Sequence, residues 1–192
     1  MKKWVKRGQE YLLQCKWLTV RKDIVKLPSG LVLDDYYVLE YPTWVNVIAI
    51  TEDGLFVIEK QYRHGTESID FEICAGTCEK DEEPIDAAKR ELLEETGYGG
   101  GKWTMYGIST PNPAAMTNLN YTFLAEGVLK TSHPHQEKTE DIEVFTVSRD
   151  ELLKLMENGE INQGCMLAML WKYMAKTNSN NAAVKRWLGK TI

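Results

Sequence analysis

The sequence predicts an α/β (α+β) fold in which a mixed sheet lies between helices and follows a small N-terminal antiparallel β-subdomain. Three observations predict this. Alternating apolar residues separated by turns fill the first third of the chain. Helical periodicity begins at Pro84, and strands and helices interleave after it. Because interleaved strands and helices cover both faces of a sheet, we expect a helix–sheet–helix sandwich.

The first third of the chain has the pattern of a small separate sheet. Strands are predicted at Trp17–Val20, Ile24–Leu27 and Leu31–Leu39, with a Pro-Ser-Gly turn before the last of them. A proline ends the third strand. We therefore predict that residues 1–43 form an N-terminal β-subdomain.

Residues 44–177 are predicted to form the main domain, and residues 178–192 a short helical tail. In the main domain, Pro84 suits the first turn of a helix, and Gly97 suits the residue after its end. The predicted strands are 44–51, 55–61, 71–74, 103–108, 120–125 and 142–147, and the predicted helices are 84–96, 150–158 and 166–175.

Composition narrows the class of protein. Of 192 residues, 43% are hydrophobic and 27% charged, as in ordinary globular proteins. The net charge of −5 argues against nucleic acid as a partner, because phosphate backbones require a basic surface. No stretch approaches the roughly 20 apolar residues of a membrane helix, and the N-terminus does not resemble a signal peptide. We expect a cytoplasmic protein with four reduced, packed cysteines and no membrane partner.

The helix predicted at 84–96 has two distinct faces. One face is apolar and should pack on the core: Ile85, Ala88 and Leu92. At 100° per residue, the adjoining face carries three glutamates: Glu91, Glu94 and Glu95. A face beside the core stripe meets the edge of a sheet, so these carboxylates are predicted to line a cleft.

At these positions the three glutamates reduce the stability of the helix. Glu91 and Glu95 are like charges at i, i+4, which destabilises a helix by roughly 0.2–0.5 kcal/mol. They also lie near the helix C-terminus, where the dipole favours cations. Arg90 offsets part of this repulsion through Glu94 at i+4. Two interpretations are open: a solvated acidic face, or a binding site for a hard cation. In the second case, the oxygen ligands indicate Mg²⁺ or Mn²⁺.

The spacing of nine residues resembles the Nudix box. That pattern is a glycine, five residues, a glutamate, seven residues, then Arg-Glu-aliphatic-x-Glu-Glu-x-Gly-aliphatic. It is matched here by Gly76, Glu82, Arg90, Glu91, Leu92, Glu94, Glu95, Gly97 and Tyr98. Only Tyr98 departs, since a smaller aliphatic residue is usual there. The chain is thus identified as resembling Nudix hydrolases over this motif.

The resemblance implies a role for each box residue. The three glutamates bind the divalent metal, Mg²⁺ with Mn²⁺ as the alternative, together with the backbone carbonyl of Ala75. Arg90 and Glu82 form a structural, orienting pair. Gly76 lets the loop bend back toward the helix, and Gly97 ends the helix.

The rest of the chain resembles the ADP-ribose pyrophosphatase branch of this family. That branch has an N-terminal β-subdomain, a Gln-aromatic-Arg element, an acidic residue before the box and a proline after it. Gln61–Arg63, Glu72 and Pro113 match these features. Arg63 is then expected to bind the diphosphate, although it also fits a loop salt bridge. The chain departs from the branch at Cys74, where proline is common, and around Pro113, where Ser-Pro-Gly is frequent.

The resemblance also implies a general base and an aromatic base-binding site. The base is expected in a late acidic loop, where Glu140 aligns best and Glu137 is the second candidate. Aromatic residues of the N-terminal strands often stack on the nucleobase in this branch. Trp17 is the first candidate here, followed by Tyr36 or Tyr37, and the alternative is that these rings fill the sheet's core.

We therefore expect Mg²⁺-dependent hydrolysis of a nucleoside diphosphate conjugate, with ADP-ribose cut to AMP and ribose 5-phosphate. One alternative is the same chemistry on a nucleotide sugar, a dinucleotide or a damaged nucleotide. A second is a sensor that binds ADP-ribose without cutting it. The resemblance also implies a homodimer formed through the N-terminal sheets.

Overall fold

The computed structural model of the protein describes residues 1–136 and 139–177. Glu137 and the predicted tail at 178–192 lie outside this part. The strands are β1 (Val5–Gln14), β2 (Thr19–Lys26), β3 (Val32–Glu40), β4 (Trp44–Thr51), β5 (Phe56–Arg63), β6 (Ser68–Glu72), β7 (Ala75–Thr77), β8 (Tyr98–Gly99), β9 (Lys102–Ser109), β10 (Asn120–Lys130) and β11 (Ile142–Val147). The α-helices are α1 (Pro84–Glu91), α2 (Arg149–Glu157) and α3 (Gly164–Thr177).

The N-terminal strands form a three-stranded antiparallel sheet in the order β1-β2-β3. A single strand, β2, covers most of the two short strands predicted there, and Trp17 lies just before it. Strand β1 was not predicted from the sequence. Almost all of its side chains are exposed. Because neither face of this strand is buried in the core, its sequence lacks the alternation of apolar and polar residues that predicts a strand.

The larger sheet has eight strands in the described part of the chain. Its main path runs β11-β5-β4-β10-β8, with β6 beside β5, β7 beside β4 and β9 beside β10. Strands β4 and β10 are parallel, whereas the other pairs are antiparallel. The predicted mixed sheet is confirmed.

Strand β4 shows why the sheet is covered on both faces. Its alternate residues Val45 and Val47 pack in one core cluster with Leu92 at the end of α1. Ile48 packs in a second cluster on the opposite face, with Leu152 of α2 and residues of α3. Successive strand residues point to opposite faces, so a strand that is apolar throughout is buried between two layers. The predicted helix–sheet–helix sandwich is therefore confirmed.

The loop between β9 and β10 attaches the two sheets to each other. The backbone N–H of Leu39, in β3, donates to the Ala115 carbonyl at 2.7 Å. The N–H of Thr117 donates back to the Leu39 carbonyl at 3.1 Å. These hydrogen bonds hold the loop that contains Pro113 against the N-terminal sheet.

None of the helices in residues 1–136 and 139–177 combines the length and apolar character that crossing a bilayer requires.

Candidate active site

The helix that carries the glutamates changes its winding before it ends. Helix α1 ends at Glu91, and a π-helical turn continues from Leu92 to Thr96. Gly97 then stops the helix in the left-handed region, with φ 75°. The sequence predicted one regular α-helix over 84–96. π-helical turns are rare and occur often at functional sites, because the additional residue redirects the side chains that follow it.

The π-helical turn separates the three glutamates. Glu95 points inward and is 4% exposed, whereas the side chain of Glu94 is 47% exposed. Glu91 lies between these extremes, with a side chain that is 12% exposed. The structure therefore places Glu91 and Glu95 on the buried side of the helix and Glu94 on its exposed side. Regular α-helical geometry had predicted one face for all three.

The short strand β7 packs directly against these inward glutamates. Gly76 lies so close to Glu91 that an added Cβ would be 2.1 Å from the Glu91 carboxyl carbon. The Thr77 backbone N–H donates to Glu91 Oε1 at 3.3 Å. The Ala75 backbone N–H donates to Glu95 and lowers its pKa. Strand β7 thus holds both carboxylates against the sheet.

Arg90 ties the loop before the helix to the helix itself. Its Nε and Nη2 donate to both oxygens of Glu82 at 2.9 and 3.0 Å, and Nη2 also donates to the Thr77 carbonyl at 3.1 Å. Its Nη1 lies 2.9 Å from Glu91 Oε1 and 3.1 Å from Glu94 Oε2. The hydrogen bonds to Arg90 lower the pKa of Glu82. Through these hydrogen bonds, Arg90 connects the helix to Glu82 in the preceding loop and to Thr77 in β7.

Burial makes the inward carboxylates resist ionisation. Burial raises the pKa of Glu91 and raises the pKa of Glu95 to about 8. The charges of Glu91 and Glu140 raise the Glu95 pKa further, so Glu140 lies near enough to act on this site. A pKa perturbed by burial and by like charges is typical of a functional site.

The residues at this position fit a divalent cation. Within residues 1–136 and 139–177, Glu95 Oε2 is buried and has no hydrogen-bond partner. Buried polar atoms are normally satisfied, so an isolated carboxylate oxygen beside a second carboxylate favours a bound cation. Carboxylate and carbonyl oxygens are the ligands that Mg²⁺ and Mn²⁺ prefer.

A cavity of about 400 Å³ opens beside β7, and four of the predicted site residues line it: Arg63, Glu72, Ala75 and Gly76. Arg63 Nε and Nη2 donate to the two oxygens of Glu72 at 2.7 and 2.5 Å. This bidentate ion pair raises the pKa of Arg63. The Arg63 side chain is 44% exposed at the cavity wall, while Glu72 is buried.

Three other predicted site residues lie away from this cavity. Trp17 is exposed, with the Lys16 ammonium 4.1 Å from its ring centroid, so the alternative that it fills the core is wrong. The Tyr36 hydroxyl donates to the Ala114 carbonyl. Pro113 is exposed in the loop that follows β9. Within one chain, the structure does not bring these three residues to the metal site.

Several residues of the cavity and its surroundings were missed by sequence reasoning. Trp44 and the hydrogen-bonded pair Asp70–Asn162, with Nδ2 and Oδ1 at 3.0 Å, line the cavity. Glu59 is buried in β5 close to Glu95. One signal was available for Glu59, since it is a lone acid in the apolar stretch of a strand. Trp44 has the appearance of an ordinary strand residue.

Comparison with known proteins identifies the family. Residues 41–169 match the model of the NUDIX domain, and residues 4–39 match that of the nucleoside diphosphate sugar hydrolase N-terminal domain. Because the first match covers more than half of the chain, this protein belongs to the NUDIX family. The prediction of a Nudix hydrolase is confirmed.

Individual relatives agree with this assignment. The chain is 34% identical over 156 residues to the ADP-ribose pyrophosphatase of Bacillus subtilis (strain 168), covering 80% of this chain and 83% of that protein. It is 29% identical over 153 residues to the methanol dehydrogenase activator of Bacillus methanolicus, covering 79% and 82%. The crystal structure of an ADP compounds hydrolase superimposes with a TM-score of 0.81 at 20% identity, covering 94% of this chain and 97% of that one. That likeness establishes the fold.

Proposed function

We propose that this NUDIX hydrolase cuts ADP-ribose into AMP and ribose 5-phosphate in a reaction that depends on Mg²⁺, with Mn²⁺ as the alternative ion. One observation carries the proposal. The buried carboxylates of Glu91 and Glu95 meet beneath β7, and the same strand borders the cavity that Arg63 lines. The candidate metal ligands and an anion-binding side chain thus both adjoin strand β7.

The names of the similar proteins support a nucleoside diphosphate conjugate as substrate. The B. subtilis relative acts on ADP-ribose, and the match at residues 4–39 is to a domain named for hydrolases of nucleoside diphosphate sugars. The cavity of about 400 Å³ lies in the usual size range for sites that bind small molecules.

The metal would be held by Glu91 and Glu95 together with the backbone carbonyl of Ala75. Glu94 stands at the outer edge, where it contacts Arg90 and can join the ligands on the solvent side. When bound, the ion neutralises the negative charge of the diphosphate and activates water for attack on phosphorus. Gly76 leaves the space that the Glu91 side chain occupies.

Arg63 would bind the phosphate group farther from the metal. Glu72 engages Nε and Nη2, and no acceptor in the described part of the chain contacts Nη1. The ion pair therefore orients the guanidinium plane and leaves one edge for a phosphate oxygen, a geometry that suits arginine.

Glu140 would take the proton from the attacking water as general base. The charge of Glu140 raises the pKa of Glu95, which supports this role. General-base catalysis by a positioned carboxylate is worth roughly 10²–10⁴ in rate. Glu137, the second candidate, lies outside the described residues.

A substrate panel tests this proposal. Purified protein with millimolar Mg²⁺ is offered ADP-ribose, a nucleotide sugar, NADH and an oxidised nucleoside triphosphate, and kcat/KM is measured for each. We expect the highest value for ADP-ribose, by at least about tenfold, which corresponds to about 1.4 kcal/mol. A higher value for another conjugate would assign the same site to that substrate.

Binding without cleavage is the second candidate function, because a NUDIX fold can hold a ligand without catalysis. It predicts a calorimetrically measurable affinity for ADP-ribose and no product with any divalent ion. The presence of every acid of the box argues against it.

We also propose that the protein is a homodimer that uses its N-terminal sheet. Large apolar side chains of this sheet are exposed, among them Tyr11, Leu12, Leu13 and Tyr37. Exposed apolar surfaces of this kind mark association sites. A dimer would also allow Trp17 or Tyr36 to reach the cavity of the partner subunit. We expect sedimentation equilibrium to give twice the monomer mass, and Leu12→Lys to lower it, while the surface variant Glu52→Gln leaves it unchanged.

A cytoplasmic location agrees with the state of the cysteines. All four, Cys15, Cys74, Cys78 and Cys165, are free thiols in the structure. Reduced cysteines are the rule in the cytosol, where disulfides are rare.

A further inference from the structure

Glu59 is a buried acid to which the proposed reaction assigns no role. It lies in β5, on the face of Val57, which packs with Leu92 beneath α1. The residue is 1% exposed, and no N–H donor among residues 1–136 and 139–177 reaches its carboxylate oxygens; the neighbouring polar group is the carboxyl group of Glu95. Burial raises its pKa well above the ordinary value, and the charge of Glu95 raises it further. An unsatisfied carboxyl group at this depth is costly and requires an explanation.

The groups around Glu59 form a set of metal ligands. A carboxylate oxygen of Glu59, the Cys74 Sγ and a carboxylate oxygen of Glu95 all lie within 4.8 Å of one another, and all three residues are buried. An oxygen and a sulfur ligand of one tetrahedral zinc-sized ion lie about 3.6 Å apart, since metal–oxygen and metal–sulfur distances are about 2.1 and 2.3 Å. Side-chain shifts of about one ångström therefore bring the three groups into range.

In residues 1–136 and 139–177, the arginines near Glu59 and Glu95 form their ion pairs with other carboxylates. The arginine that acts on Glu59 is Arg63, and its guanidinium is already engaged in the bidentate pair with Glu72. The other cation of the site, Arg90, contacts Glu82, Glu91 and Glu94. Within the part of the chain that the structure describes, Arg63 and Arg90 therefore pair with other carboxylates and not with Glu59 or Glu95.

We infer that Glu59 and Cys74, together with Glu95, form an inner metal position behind the box glutamates, selective for a borderline transition ion such as Zn²⁺ or Co²⁺. The sulfur ligand distinguishes this position from the outer one, where oxygen ligands favour Mg²⁺ or Mn²⁺. Binding there would release to solvent the thiol proton of Cys74 and any proton that the Glu59 and Glu95 carboxyl groups hold. The inference rests on the proposed function only in that Glu95 is shared by both positions.

Cobalt titration of the metal-free protein tests the inference by a signal other than activity. Thiolate bound to Co²⁺ produces a charge-transfer band in the near ultraviolet, whereas Co²⁺ on oxygen ligands does not. We expect the band in the wild type and its loss in Cys74→Ser. Glu59→Gln should weaken Co²⁺ affinity at least about tenfold, because a charged ligand becomes neutral. The matched control is Cys78→Ser, which removes a half-buried thiol outside the cluster and should keep the band.

A second measurement avoids variants that fail to fold. X-ray absorption of the zinc-loaded wild type should show one sulfur neighbour at about 2.3 Å. Absence of both the cobalt band and the sulfur neighbour would overturn the inference and leave Glu59 as a neutral buried acid. Persistence of the band in Cys74→Ser would also overturn it.

Hydrolysis of ADP-ribose with Mg²⁺, followed in parallel, separates the two proposals. A sulfur-bound metal in a protein that cuts no conjugate supports the inner position and contradicts the proposed function. Hydrolysis of ADP-ribose by a protein that binds no metal through sulfur supports the proposed function and overturns the inner metal position.

Discussion

Gly76 lies directly against the side chain of Glu91, and the space that a Cβ would need is filled by the glutamate's own atoms. The three nearest of these would be 2.1–2.4 Å from the added carbon, well inside the closest approach of real side chains. The absence of a side chain at Gly76 therefore leaves room for Glu91, fifteen residues later, in its present position. The Glu91 carboxylate also accepts a hydrogen bond from the Thr77 backbone N–H at 3.3 Å. The glycine is not required by a left-handed backbone.

Gly76→Ala should accordingly displace Glu91 and weaken the metal site. We expect kcat to fall by at least about tenfold, with a higher Mg²⁺ concentration for half-maximal rate. Because the displaced atoms belong to the end of a flexible side chain, the loss of folding stability should be small compared with the loss of metal affinity. Gly8→Ala is the control, because its added Cβ would be 3.5 Å from Ile24, an ordinary contact. Steady-state kinetics over a range of Mg²⁺ concentrations measures both, and equal behaviour of the two variants would contradict the packing argument.

Arg63→Lys should affect substrate binding more than the chemical step. Lysine keeps the charge but loses the bidentate geometry that Arg63 uses with Glu72. Hydrogen bonds to charged groups are worth about 1.5–3 kcal/mol. Partial exposure of Arg63 reduces this range, and we expect KM for ADP-ribose to rise about tenfold with kcat changed less than about threefold. A fall in kcat at constant KM would place Arg63 on the reacting group instead.

Glu140→Gln should remove the general base. Because glutamine cannot accept the proton, kcat should drop about 100- to 10,000-fold while KM changes little. Glu137→Gln tests the alternative in the same loop and should retain most of the rate. The reverse outcome, with Glu137→Gln inactive and Glu140→Gln active, would assign the base to Glu137.

The stability of the metal-free protein should fall as pH rises from about 5 to 8. The folded-state pKa of Glu95 is about 8, while an unfolded glutamate titrates near 4.3, so the folded protein binds the extra proton between these values. The contribution of this proton to the free energy of unfolding is therefore fully present below the pKa of the unfolded state. It is lost as pH rises through the pKa of the folded state. We expect a loss on the order of 1 kcal/mol or more, or at least 2–4 °C in Tm.

Thermal denaturation in a chelator at several pH values measures this effect. Glu95→Gln should flatten the pH dependence, since its amide does not titrate. Saturating Mg²⁺ should also reduce it, because the ion binds the ionised carboxylates that high pH favours. A Tm that rises with pH in the wild type without metal would contradict the assigned burial of Glu95.

Much of this fold could be predicted from local patterns. The apolar run at 44–51 and the interleaved helices predict a covered mixed sheet, because these signals are local in sequence. Strand β1 could not be predicted, since its side chains are exposed and leave no periodic trace. The split of residues 17–27 into two strands was a related error, because β2 is continuous across polar residues in its middle.

The box spacing located the acidic site, but only the structure shows how its members differ. The winding change at Leu92–Thr96 buries Glu95 and exposes Glu94, and it depends on packing against the sheet. Glu59 and Cys74 come from separate strands and meet Glu95 only after folding. A spacing pattern within one segment contains no information about such neighbours.

The measurement that tests the central claim most directly is hydrolysis of ADP-ribose by the wild type and by Glu95→Gln, with millimolar Mg²⁺ and products resolved by ³¹P NMR. Glu52→Gln, in the exposed turn between β4 and β5, is the charge-matched control. The account predicts AMP and ribose 5-phosphate from the wild type and the control, and a rate lower by about a thousandfold, on the order of 4 kcal/mol, in Glu95→Gln. A wild type that yields neither product, or a Glu95→Gln variant within tenfold of it, would contradict the account.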